Sequence, residues 1–236
     1  MAEILHKAAT RGTADHDWLL SRHTFSFADY YNPERMGFGA LRVINDDIVK
    51  PGHGFPQHPH KNMEIISIPL QGALAHEDSM GNRHVLEVGD IQMMSAGKGL
   101  MHSEFNASRS HDVAFLQIWI LPKQLDIDPR YEQRRFAAEP AGNRFAMLIA
   151  PDGAAETLWI NQDAYISQAF IDADRNVRYD VRVKGHGVYL FLISGAVEVA
   201  GHRLESRDAI GLTEQDTIPI RAHETSRVLC LEVPMS

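Results

Sequence analysis

Gly, Pro, Asp and Asn interrupt this chain about every ten positions, and between the interruptions lie short runs rich in β-branched and aromatic residues. Residues 40–45, 63–70, 115–121, 188–193 and 226–233 are such runs. No long amphipathic helix is legible between them, so the spacing predicts an all-β chain of antiparallel sandwiches or barrels. A length of 236 residues allows one large domain or two ordinary ones. A weak internal repeat favours two. Leu70-Gln71-Gly72-Ala73-Leu74 followed by Gly89-Asp90-Ile91 has a counterpart in Ile193-Ser194-Gly195-Ala196-Val197 followed by Arg207-Asp208-Ala209-Ile210. Each reads as strand, Gly turn, strand, polar turn with Asp, strand. The charged, proline-bearing stretch between the halves reads as a connection. The expected division is 1–122, a connector at 123–140, and 141–236.

The net charge of −8 argues against a sequence-independent grip on nucleic acid, which needs clustered Lys and Arg. No segment has the apolar length of a signal peptide or a membrane span, so a soluble, cytoplasmic protein is expected. The single cysteine, Cys230, sits in the apolar run Val228-Leu229-Cys230-Leu231 and is expected to be a buried strand residue without redox function. Ten of the 13 histidines lie at or before His111, which places imidazole chemistry in the first half.

Two triplets stand out there: His58-Pro59-His60 and His102-Ser103-Glu104. In a strand, residues i and i+2 leave the same face, so each triplet offers two metal ligands to one side. Facing each other inside a barrel, the triplets would bring three imidazoles and a carboxylate to one point, a set suited to a divalent transition metal. Glu64 shares the parity of His58 and His60 and competes with Glu104 for the carboxylate position. His53 could line the entrance to such a site. His76 is expected to stay outside the ligand set, and His6, His84, His186, His202 and His223 are read as ordinary polar residues. Phe27, Phe55, Met63 and Trp119 are apolar candidates for a pocket. The second copy of the repeat has neither triplet, so no metal is expected in it.

Gly52, His58, His60 and Glu64 are spaced as in the first motif of the cupin barrels, with Gly72 one residue late, and His102 with Asn106 resembles the second motif. Where cupins carry a proline-glycine turn, this chain has Ser95-Ala96-Gly97-Lys98-Gly99. The segment from Ser95 to Glu104 instead resembles the pirin family. That likeness extends to residues 21–27, to His58-Pro59-His60, to Asp78-Ser79-Met80-Gly81-Asn82, and to Tyr131-Glu132-Gln133-Arg134-Arg135-Phe136, a string of the shorter bacterial pirin-like proteins. The resemblance implies two cupin barrels (double-stranded β-helix, jelly-roll) in one chain. It assigns the metal to His58, His60, His102 and Glu104, leaving Glu64 to orient an imidazole, and either Glu104 or Glu64 could act as a general base. Fe(II) is the first expectation, with Cu, Ni, Mn, Co or Zn compatible with the same donors.

By the same resemblance the expected activity is that of a quercetin 2,3-dioxygenase, opening a flavonol ring with O2 and releasing CO. Two other readings stay open. One is a metal-dependent cupin isomerase or decarboxylase, for which Arg42, Lys61, Lys98 and Arg109 could hold a phosphate. The other is a non-enzymatic metal or redox sensor that binds a regulatory protein partner.

Overall fold

The computed structural model describes residues 3–137, 142–154 and 156–235. Among these there is no α-helix; apart from the 3-10 turn Ala8–Thr10, every regular element is a strand. No helix in them is long and apolar enough to cross a membrane.

The first half is built from two sheets. The larger runs Arg130–Arg135, Asp90–Ser95, Glu64–Gln71, Val113–Ile120, Leu41–Val49, Leu19–His23, Gly12–Asp15. The smaller runs Gly54–His60, Leu100–Asn106, Ala73–Asp78, Arg83–Glu87. The second half repeats the plan, with a seven-stranded sheet centred on Gly187–Ser194 and Ser226–Val233 and a four-stranded sheet around Thr217–Ala222. Two sheets closing round an interior make each half a cupin barrel.

The turns explain why the repeat is visible in the sequence. Gly72 (φ 71°) and Gly195 (φ 95°) both turn the chain from the larger sheet into the smaller. A Cβ would lie 2.7 Å from Asp112 O at the first and 2.3 Å from Ser226 Oγ at the second, so only glycine fits. Asp90 and Asp208 also have one task in common. Asp90 Oδ2 accepts the Glu87 N–H (2.8 Å) and Asp208 Oδ2 the Glu205 N–H (2.9 Å), closing the polar turn in each half.

Two segments pair outside the halves that the sequence division suggests. Strand Glu3–His6 lies on the edge of the second half's sheet, against Ala209–Leu212. Connector residues Arg130–Arg135 pair with Asp90–Ser95 on the edge of the first half's sheet. The charged side chains of Arg130–Arg135 look like linker in sequence because an edge strand keeps much of its surface in water, yet both segments cover hydrogen-bonding edges that would otherwise be open. The connector's last residues, 138–140, lie outside the described ones. Pro69 falls within a central strand, but the Asp90–Ser95 ladder ends at Ser67 and the other neighbour is bulged between Ala114 and Phe115, so its missing N–H costs little pairing.

Alternation along the larger sheets is split between two cores. Leu116, Ile118 and Ile120 point outward from the first barrel and meet Tyr189, Phe191 and Ile193 from the second in one cluster between the barrels. Their strand neighbours Val188, Leu190 and Leu192 point the other way and fill the second barrel with Val197, Ile220 and Cys230. Cys230 is fully buried there, and burial pushes its thiol well above the ordinary range, which leaves it chemically quiet. Phe191→Ala, which opens a cavity between the barrels, should cost about 3–5 kcal/mol in urea unfolding.

Candidate functional site

The smaller sheet of the first barrel carries the histidines and the carboxylate that could hold a metal. Strand Leu100–Asn106 alternates without interruption, with Leu100, His102, Glu104 and Asn106 buried and Met101, Ser103 and Phe105 turned outward. On one side it pairs with Gly54–His60, setting His102 opposite His58 and Leu100 opposite His60. On the other it pairs with Ala73–Asp78, setting Glu104 opposite His76 and His102 opposite Asp78. The register shift in the pair with Gly54–His60 puts one extra residue into that strand, between Phe55 and His58, and leaves Leu100–Asn106 regular, so His102 and Glu104 keep one face.

The rings of His58, His60 and His102 form a near-equilateral group, with centroids 4.4 to 4.8 Å apart. One ligating nitrogen from each lies within 4.8 Å of the other two. His58 Nδ1–H donates to Pro56 O (2.8 Å), which leaves Nε2 as the lone-pair nitrogen. His102 is 1% exposed, and neither of its ring nitrogens has a hydrogen-bond partner. Leaving a buried polar atom unsatisfied costs about 1–3 kcal/mol, and a cation among the three rings would remove that cost for the nitrogen that carries the lone pair. Burial, then repulsion from neighbouring rings, lowers His60 to about 4, and burial with the His58 field lowers His102 to about 3. Both are therefore neutral imidazoles at physiological pH, the state that ligates metal.

Glu104 is held from the opposite sheet. Ser67 Oγ donates to Oε1 (2.9 Å) and Gln117 Nε2 to Oε2 (2.5 Å). These partners were not singled out in the sequence, although each is a lone polar residue in an apolar strand, Ile66-Ser67-Ile68 and Leu116-Gln117-Ile118. They belong to a row across the larger sheet in which Gln92, Ser67, Gln117, Asn45 and His23 stand side by side on adjacent strands.

Glu64 is not where strand parity put it. Residues 61–63 separate two strands of different sheets, with Asn62 at φ 50°, so counting by twos from His60 does not carry across. Glu64 shares a face with Ile66 and Ile68, which pack between the barrels. Its Oε2 accepts from Ser95 Oγ (2.7 Å) and from the Asn161 backbone N–H (3.0 Å) of the second half. This corrects the expectation that it orients an imidazole or serves as a base. It ties the halves together.

His76 stands closer than its lone occurrence in the sequence suggests. Ligating atoms of His76, His102 and Glu104 form a second group within 4.8 Å. Its Nε2 meets Asp78 Oδ2 (3.2 Å) and its Nδ1 is buried without a partner. Asp78 also accepts the backbone N–H groups of Met80 and Asn82 (2.9 and 3.1 Å), so the 79–82 turn fixes the carboxylate that orients His76. His53 stacks on Trp18, with centroids 6.2 Å apart.

A cavity of about 280 Å³ opens beside His58, His60 and Glu104. Trp18, Phe27, Phe55 and Trp119 supply its aromatic walls, with Trp119 edge-on to His60 (4.9 Å). Met63 packs behind Trp119 in a neighbouring apolar cluster. No Lys or Arg is among the described residues that line this cavity. Lys61 and Lys98 pair instead with Asp126 and Asp128 (3.3 and 2.5 Å) at the surface, and Arg42 donates to Ser26 O (2.7 Å).

Comparison with known proteins agrees with this geometry. The sequence profile described as pirin matches residues 5–120, and one described as the quercetinase C-terminal cupin domain matches 147–233. The chain is 40% identical over 230 residues to the quercetin 2,3-dioxygenase of Escherichia coli strain K12, covering 98% of both chains. It is 39% identical to a pirin-like protein of Caulobacter vibrioides, covering 94% of this chain and 95% of that one. The crystal structure of the bacterial pirin YhhW from Escherichia coli in complex with nickel(II) superposes with a TM-score of 0.94 at 39% identity, covering all of both chains. With both barrels matched and the likeness running from end to end, the chain belongs to the pirin family.

Proposed function

We propose that this protein is a metal-dependent dioxygenase that opens the ring of a flavonol with O2 and releases CO, with His58, His60, His102 and Glu104 as the metal ligands. The observation that carries the reading is the convergence of His58, His60 and His102, the last with both ring nitrogens unpaired, beside an aromatic-lined cavity whose wall includes His58, His60 and Glu104. The relative named quercetin 2,3-dioxygenase and the nickel(II) complex of YhhW support the activity and the divalent ion. Nitrogen and carboxylate donors without thiolate suit nickel(II), iron(II), cobalt(II) and manganese(II) alike.

A divalent metal bound by the quartet would supply Lewis acidity, lowering the pKa of a hydroxyl placed on it. Trp18, Phe27, Phe55 and Trp119 hold flat aromatic rings and keep water from the reacting end. Glu104, at the cavity wall, takes the proton of the flavonol 3-hydroxyl, and the Ser67 and Gln117 hydrogen bonds hold its carboxylate in position to do so. The ionised flavonol then reacts with O2 in the same dry space. A cavity without lysine or arginine disfavours the phosphorylated substrates of a sugar isomerase.

Protein loaded with nickel(II) or iron(II) should bleach quercetin absorbance in air with stoichiometric release of CO, and His60→Ala should lose bound metal and both signals together. Loaded wild-type protein that consumes neither quercetin nor O2 would overturn the reading. Ser67→Ala and Gln117→Leu, which leave the four ligands in place, should weaken metal affinity or turnover about 10–100-fold, measured by chelator competition and by CO release.

A further inference from the structure

Across the cavity from the imidazoles, strands Leu19–His23 and Leu41–Val49 bring Ser21, His23, Asn45 and Asp47 onto the wall. The four are spaced by twos along their strands and paired across the ladder, Ser21 with Asp47 and His23 with Asn45, so they share one face. All four are buried. His23 Nδ1–H donates to Asn45 Oδ1 (2.9 Å), which leaves Nε2 as an acceptor. Ser21 Oγ donates to Asp47 Oδ1. Asp47 Oδ2 has no hydrogen-bond partner among the described residues.

Nor does Asp47 have a countercharge among the described residues. Arg11 and Arg207 are engaged by Asp46 (3.2 and 2.9 Å), which points to the opposite face of the strand. Burial, reinforced by the charges of Asp46 and Glu104 and opposed only by the Ser21 hydrogen bond, pushes the Asp47 carboxyl up to about 7. A carboxyl group with one free oxygen is a poor packing residue in a cavity wall. It is a good partner for a hydroxyl. A phenolic O–H both donates and accepts, so it satisfies Oδ2 whether the acid is protonated or ionised, and it can donate to His23 Nε2.

Resting on the flavonol reading, we propose that Ser21, His23, Asn45 and Asp47 form a second polar subsite, which takes a phenolic hydroxyl of the substrate remote from the atoms that react. Asp47 is the residue that distinguishes a hydroxylated aromatic end from a bare one. Trp119 Nε1–H, buried without a partner, offers a further donor at the side of the cavity shared with His60.

The test compares quercetin with 3-hydroxyflavone, which keeps the 3-hydroxyl and 4-carbonyl and lacks the other hydroxyls. Dissociation constants are read anaerobically on nickel(II)-loaded protein from quenching of Trp18 and Trp119, which line the cavity. Wild-type protein should prefer quercetin by about tenfold or more, the scale of one buried hydrogen bond. Asp47→Leu should remove most of that preference while leaving 3-hydroxyflavone within about twofold, and Asp47→Asn, which still donates and accepts, should keep it. His23→Phe preserves the ring and removes the acceptor; it should also shrink the preference and serves if the leucine variant does not fold. Equal weakening of both flavonols, or an undiminished preference in the Asp47→Leu and His23→Phe proteins, would overturn the subsite. Failure of wild-type protein to bind either flavonol would overturn the flavonol reading beneath it.

Discussion

The seven-stranded sheet of the first barrel is buried on both faces, and the two faces have opposite chemistry. Outward, Ile44, Ile66 and Ile118 join the apolar cluster between the barrels. Inward, on the very next residues, Asn45, Ser67 and Gln117 form a polar row. A one-residue slip in register would exchange the faces, setting isoleucines against the imidazoles and polar groups against the second barrel. The apolar face therefore fixes the register of the polar one. Because buried polar groups stabilise only when paired, the site draws its rigidity from packing on the side of the sheet that faces away from it.

The second barrel shows the scaffold without this demand. The same turn glycine and turn aspartate recur, yet Val188, Leu190 and Leu192 point inward where the first barrel has Ser67 and its neighbours, and the interior closes on them. Tyr189, Phe191 and Ile193 on the same strand provide the surface against which the first barrel's sheet packs. Glu64 strengthens that contact by capping the Asn161 N–H of the second half, a polar tie within an apolar interface. A carboxylate in a motif position can thus be spent on joining domains.

Much of this was legible in the sequence. Glycines at positive φ and turn aspartates repeat because the backbone requires them, and the i, i+2 triplets survive because strand geometry is regular over three residues. The ladder sets His102 opposite His58, and Glu104 follows two residues on along the same regular strand. The same regularity misled over Glu64, because parity is lost whenever the chain changes sheet, and nothing in residues 61–63 announces that change. Strand Arg130–Arg135 was hidden for a different reason: an edge strand keeps the charged composition of a loop. Ser67, Gln117 and Asp47 look like incidental polar residues until sheet order sets them across a cavity from the histidines. Local pattern carries the strand, while partnership depends on which strands become neighbours.

His76 illustrates that dependence. As a single histidine in a strand it carries no signal, and only its place opposite Glu104 makes it part of the site. Once there, its chemistry follows from the turn beyond it. Asp78 at Nε2 favours the tautomer with the proton on that nitrogen, so the buried, unpaired Nδ1 keeps a lone pair. Glu104 is thereby bounded on three sides: by Ser67 and Gln117 from the larger sheet, by His102 along its own strand, and by His76 from the next. A carboxylate confined in this way has few orientations left, so the protein alone holds it in place, as a site prepared for an ion requires.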